Sequence, residues 1–172
     1  MSGHRVTRRG AETNARVTDT LVIRPALDSE LRKLAEIWDE SWKSTKVPSP
    51  EPLSLNELAE RLRGFVRSGA RLFAIESSSK CIGLIVIDPA QAVLSQLFLR
   101  SDAQGRGFGR TCLAFVQSEL PEGFTLSVAA QNQRAIQFYK RAGLIQDSRV
   151  YREAYKRFDV IFRWSPEVGI LK

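Results

Sequence analysis

The sequence predicts an α/β layer fold built on a mixed sheet, and three observations lead to it. Two stretches, residues 28–42 and 54–66, repeat their apolar residues at helical spacing. Three β-rich stretches follow between residues 71 and 100, the middle one apolar throughout, as a strand covered on both faces must be. Strand and helix patterns then alternate to the end, which gives the order β-α-α-β-β-β-α-β-α-β-β.

Residues 1–20 are rich in Arg, Thr and Gly without periodicity, so they read as a flexible extension ahead of one domain at 21–172. Leu21 to Arg24 forms a first strand, closed by Pro25. Asp28 is placed to cap a helix carrying Leu31, Leu34, Ala35, Trp38 and Trp42 on one stripe. Pro48, Pro50 and Pro52 break that pattern. Ser54 and Glu57 then make a capping box for a second helix, with Leu55, Leu58, Ala59, Leu62, Phe65 and Val66 on its buried face. Strands follow at 71–76 and 81–87, joined by a hairpin-like Ser77 to Lys80, and at 92–100 after Asp88-Pro89. A glycine-rich turn leads into a helix ending near Leu120. A short strand (124–128), a helix (132–142) and strands near 149–154 and 159–164 complete the chain.

With 172 residues, 43% of them apolar and 26% charged, the chain is long enough for one domain with a core and too ordered in composition to be a disordered segment. No apolar run approaches the roughly 20 residues of a membrane span. Cys81 and Cys112 are the only cysteines and are far apart, which favours a reduced cytoplasmic setting over a disulfide framework or zinc site. The only histidine, His4, lies in the extension, so no metal centre or His-based triad is expected in the domain. The net charge of +7 attracts polyanions, either nucleic acid or a cofactor with several phosphates. Nucleic acid is disfavoured because no aromatic-interleaved basic stripe or recognition element is present.

The strongest chemical signal is the turn Gln104-Gly105-Arg106-Gly107-Phe108-Gly109 between a strand and a helix. Glycines at alternate positions remove the Cβ atoms that would hold an anion off the backbone. The helix start adds unpaired N–H groups and the positive end of its dipole. A pyrophosphate suits that place, with Arg106 and Arg110 supplying charge; a turn that only packs helix against strand is the other reading. The Gly-Lys-Ser/Thr of a Walker loop is absent, and Gly105, Gly107 and Gly109 give G-x-G-x-G rather than the G-x-G-x-x-G of a dinucleotide fold.

The stretch from Leu97 to Gly109 resembles the cofactor motif of the GNAT superfamily of N-acetyltransferases, a strand followed by Q/R-x-x-G-x-G/A at a helix start. Asn132, Ala135, Phe138-Tyr139, Gly143 and Leu144 resemble its second motif, N-x-x-A-x-x-x-Y-x-x-x-G-F, in the right order and at a fitting distance. The resemblance implies a mostly antiparallel sheet of six to seven strands, helices on both faces and splayed central strands. It implies acetyl transfer from acetyl-CoA to a primary amine of a small molecule or protein, by direct attack in a ternary complex; a catalytically silent acyl-CoA-binding domain is the alternative. A homodimer is common among such proteins.

By position, the resemblance puts Leu97, Phe98 and Leu99 along the cofactor's pantetheine arm, with the Leu97 N–H polarising the thioester carbonyl. Gln104, Gly105, Arg106, Gly107, Phe108, Gly109 and Arg110 would hold the diphosphate, Asn132 would bond the arm from the other side, and Phe138 would line its channel. Tyr139 would protonate the departing thiolate, although a tyrosine at that helical spacing also fits simple packing. Trp38 and Trp42 would contact the acceptor, or else belong to the core stripe they share with Leu31 and Leu34. The chain departs from the pattern at Leu144, at Arg100-Ser101 where a Pro is usual, and at Ala92 to Gln96, which holds no carboxylate. The general base is therefore unassigned among Glu40, Glu76, Asp88 and water relayed by Ser95 or Gln96, and an amine that arrives already neutral is equally open.

Overall fold

A computed structural model describes residues 20–169, so all of the expected extension except Thr20 lies outside the described residues. Seven strands form one sheet there: β1 (Leu21–Pro25), β2 (Arg71–Ser77), β3 (Lys80–Asp88), β4 (Val93–Leu99), β5 (Phe124–Ala129), β6 (Ile145–Arg152) and β7 (Arg157–Trp164), in spatial order β1-β2-β3-β4-β5-β7-β6. Four helices accompany them: α1 (Leu31–Ser44), α2 (Leu55–Arg67), α3 (Phe108–Glu119) and α4 (Gln133–Arg141). Every neighbouring pair is antiparallel except β4 and β5.

The apolar run of β2 and β3 is continuous because both faces are covered. Leu72, Ala74, Leu84 and Val86 pack under Leu34, Ile37, Leu58 and Leu62 of α1 and α2. Phe73, Ile75, Ile85 and Ile87 point the other way, joining β5 and β7 residues and Cys112, Val116 and Ile136 of α3 and α4. Alternation along a strand thus feeds two cores. Ser78 and Ser79 both take positive φ, which makes the two-residue hairpin turn between β2 and β3.

The capping box of α2 forms as expected: the Ser54 hydroxyl accepts from the Glu57 N–H, and the Glu57 carboxylate accepts from the Ser54 N–H at 2.8 Å. Three expectations need correction. Asp28 does not cap α1, because residues 28–30 form a 3-10 turn; Glu30 accepts from the Leu27 N–H at 2.8 Å, and Asp28 meets Arg63 at 3.3 Å. Val66 is exposed, since it sits past the stripe that Leu58 and Leu62 bury. The sixth strand starts at Ile145, and residues 153–155 turn rather than extend it. As an edge strand bonded only to β7, β6 is exposed along nearly its whole length, so no apolar alternation announces it.

Candidate active site

The parallel neighbours β4 and β5 share a single residue pair, Val93 with Thr125, where the Thr125 N–H donates to the Ala92 carbonyl. Beyond that rung the two strands lack ladder pairing, which is the splay the resemblance implies. The Arg100 N–H donates to the Ile82 carbonyl of β3 at 2.8 Å. Backbone groups alternate sides along a strand, so the N–H groups of Leu97 and Leu99 point away from β3, into the gap. The Leu99 carbonyl accepts from Gln104 Nε2 at 2.8 Å. That bond also ties the glycine turn to the end of β4.

A cleft of about 730 Å³ opens at the splay. Leu94 to Phe98 of β4 and Leu126 to Ala129 of β5 form its floor, Asn132, Ala135 and Tyr139 come from the α4 side, and Trp38, Trp42, Lys46, Leu53 and Arg61 come from α1, α2 and their connection. Of the residues singled out from sequence, Leu97, Phe98, Asn132, Tyr139, Trp38 and Trp42 line this cleft. Leu99, Phe138 and residues 104–110 do not.

The glycine turn leads into α3. Gly105 and Gly107 have φ of 78° and 88°, a region that only glycine enters at no cost, and a Cβ at either would meet nothing within 4 Å. Gly107 is the N-cap residue of α3 and has no side chain with which to cap it. The turn is therefore an open cradle beside a helix N-terminus, and its geometry fits a diphosphate. Gly109 differs: a Cβ there would lie 3.1 Å from the Phe138 ring, a tight contact that the ring could meet only by shifting a few tenths of an ångström. The Arg106 guanidinium stacks 5.1 Å from the centre of the buried Phe108 ring, and Arg110 is exposed.

Tyr139 is buried on α4 between Phe138 and Phe162, with ring centres 5.0 and 5.9 Å away. Burial, and then Cys112 nearby, push the phenol well above the ordinary tyrosine range, so it holds its proton firmly. The Asn132 amide oxygen accepts from the Ala135 N–H at 3.2 Å, capping α4. Trp38 stacks on Phe98 at 5.5 Å and is 7% exposed, so most of its ring belongs to the core. Trp42 is less buried and faces a guanidinium, described below.

None of the three carboxylates considered as bases lines the cleft. Glu40 accepts from the Ser101 N–H at 3.2 Å and hydroxyl at 2.9 Å, fastening α1 to the turn after β4. Glu76 accepts from Arg24, and Asp88 caps the turn at Gln91. The carboxylates that do line it are Asp39, paired with Lys43 at 2.7 Å, and Asp159 on β7. Asp159 is 5% exposed and accepts from Ser127 Oγ at 2.9 Å and Arg157 Nε at 2.9 Å, with Arg152 Nε at 3.7 Å. Sequence reasoning missed this cluster, whose one signal is an Arg-x-Asp on one face at the start of a strand that is mostly apolar beyond it.

Residues 41–158 match the family model described as an acetyltransferase (GNAT) domain, more than half of the chain. The chain belongs to the GNAT acetyltransferase family. It is 29% identical over 122 residues, 70% of this chain and 80% of the other, to the peptidyl-lysine N-acetyltransferase YjaB of Escherichia coli K12. The solution structure of apo-YjaB superposes with a TM-score of 0.62 at 26% identity, covering 85% of this chain and 97% of that one. Spermidine N-acetyltransferase of Vibrio cholerae, in complex with CoA and spermine, superposes with a TM-score of 0.64 at 20% identity (86% and 96% covered). RimL, a ribosomal L7/L12 alpha-N-protein acetyltransferase in complex with coenzyme A, gives 0.67 at 15% identity (88% and 97% covered). The last two likenesses establish the shared fold of the α/β sheet. The protein is therefore an enzyme of the acetyltransferase class with the seven-stranded GNAT architecture.

Proposed function

We propose that residues 21–172 form one acetyl-CoA-dependent N-acetyltransferase domain that transfers acetyl to a primary amine of a small molecule or protein, by direct attack in a ternary complex. The observation that carries this reading is that the inward Leu97 N–H and the protonated Tyr139 belong to one cleft, while the glycine cradle is tied by Gln104 to the end of the same strand. Two structural neighbours are themselves complexes with coenzyme A. Acetyl-CoA supplies an activated acetyl group as a thioester.

The chain's own residues then divide the work. Main-chain amides from Gly105 to Gly109, together with the start of α3, hold the diphosphate, with Arg106 and Arg110 adding charge. The N–H groups of Leu97 and Leu99 hold the arm in extended form, Phe98 packs beside it, Asn132 faces it from α4, and the Phe138 ring fixes α4 against the cradle. The Leu97 N–H stabilises charge on the carbonyl oxygen. Joining amine nitrogen to the acetyl carbon breaks the carbon–sulfur bond. Tyr139 gives its proton to sulfur, the nitrogen loses one proton to water held by Ser95 or Gln96, and Tyr139 regains a proton from solvent. Trp42, and the exposed edge of Trp38, contact the acceptor.

Thiol release with a panel of primary amines, alongside calorimetric titration with coenzyme A, tests this directly. Turnover with any amine supports the reading. Tight coenzyme A binding with no thiol from any amine would instead favour a silent acyl-CoA-binding domain, which the absence of Glu40, Glu76 and Asp88 from the cleft makes a reasonable second reading. A cytoplasmic, homodimeric setting is part of the proposal. The free cysteines and the exposed edge strand β6 support it, and sedimentation measures the assembly. Among the described residues no helix is long and apolar enough to cross a membrane.

A further inference from the structure

The acceptor end of the cleft has a charge and a shape that point to a substrate class. Five cationic side chains line the cleft, Lys43, Lys46, Arg61, Arg152 and Arg157, against two carboxylates. Asp39 is matched by Lys43, and Asp159 by Arg157 and Arg152. Lys46 and Arg61 leave the cleft net positive, and low-dielectric walls strengthen that field.

Arg157 is the most constrained of the five. Its guanidinium carbon lies 4.8 Å from the centre of the Trp42 ring and 4.8 Å from that of Tyr155, so α1 and the turn before β7 hold it between two aromatic faces. Its hydrogen bond to Asp159 uses Nε, and the side chain is only 12% exposed. A planar fork fixed in this way loses little entropy when it binds, and its terminal nitrogens match the two oxygens of a carboxylate or phosphate. Asp159 in turn is held by Ser127, which lies on β5 at the wall of the splay.

We propose that the acceptor is a small amine that also carries an oxyanion, a carboxylate or phosphate monoester, and that Arg157 receives that group while the amine reaches the gap at Leu97. A polyamine would bring further positive charge into a cleft that already has an excess, and a simple alkylamine would leave the fork of Arg157 without its partner. The inference rests on the acetyltransferase reading above and deepens it.

Matched acceptors test the proposal in the full chain with coenzyme A present. β-Alanine is compared with propylamine, O-phosphoethanolamine with ethanolamine, and spermidine is run beside them, both by calorimetric binding and by thiol release from acetyl-CoA. The expected result is a preference of about tenfold or more for at least one oxyanion-bearing partner over its plain match, falling as ionic strength rises. Whichever pair shows it distinguishes carboxylate from phosphate. Arg157→Gln should erase the preference by raising KM for the anionic amine alone. Because that change also strips Asp159 of its main partner, Arg61→Gln on the exposed face of α2 serves as a second variant, with a smaller loss of preference expected. Equal or better use of plain amines or spermidine overturns the proposal while leaving the enzyme an acetyltransferase. Selective binding of the anionic amine without thiol release upholds the proposal and sinks the activity.

Discussion

The two parts of the proposed site, the strand and glycine turn for the cofactor and the cleft for the acceptor, are built on opposite plans. Most of the proposed cofactor part is continuous in sequence: β4, a short turn and the start of α3 span residues 93–110, and the bond from Gln104 to the Leu99 carbonyl ties the turn to the strand. The acceptor part draws on α1, α2, β5, β6, β7 and the turn before β7, and its central guanidinium is held by residues from three of these places. A part that recognises a constant ligand can be a local motif, whereas one that selects among ligands must be assembled from afar. The difference predicts that substitutions should separate cleanly into those affecting every acceptor alike and those affecting only acceptor choice.

Tyr139→Phe keeps the packing against Phe138 and Phe162 but removes the proton donor, so kcat should fall by about a hundredfold for all amines with coenzyme A affinity unchanged. A drop in coenzyme A affinity instead would return Tyr139 to a packing role. Gly107→Ala introduces a side chain at φ 88°, where an L residue costs about 1–2 kcal/mol, and should weaken coenzyme A binding by about tenfold by calorimetry. Its effect must be the same with every acceptor. Trp42→Ala should raise the acceptor KM by about threefold to tenfold, through loss of one face of the Arg157 clamp, and leave coenzyme A binding as it was. Should coenzyme A binding follow, the two parts are coupled and the contrast fails.

The smallest effect comes from outside the cleft. Hydrogen bonds from Arg24, and then from the Leu27 N–H, hold the Glu30 carboxyl down to about 2 from its usual 4.5. A group whose pKa is depressed on folding stabilises the fold above its unfolded value, and loses that contribution as pH falls through the folded one. Thermal melts should therefore show stability declining between about pH 4.5 and pH 2, and Glu30→Gln should flatten the decline. Neither change should alter acceptor preference at neutral pH.

The same contrast explains what could be read from the sequence. The strands β2 to β5, the capping box of α2, the cradle glycines and Tyr139 carry their cause within a few residues, in apolar alternation, a Ser-x-x-Glu or a spaced glycine. Asp28 misled because a 3-10 turn intervened: α1 has no side-chain cap, and Glu30 instead accepts from the Leu27 N–H at the start of that turn. Strand β6 started early because an edge with one bonded neighbour needs no alternating pattern. Arg157 and Asp159 were silent because their meaning depends on Trp42, 115 positions away from Arg157, arriving opposite them.

The lone rung between Val93 and Thr125 has a mechanical consequence. Past it β4 and β5 are unpaired, so the sheet is joined like a book at its spine while its pages stand apart. Deuterium should enter the Leu97 and Leu99 amides far sooner than that of Ile85, and a bound thioester carrier should slow it by standing in for the missing strand.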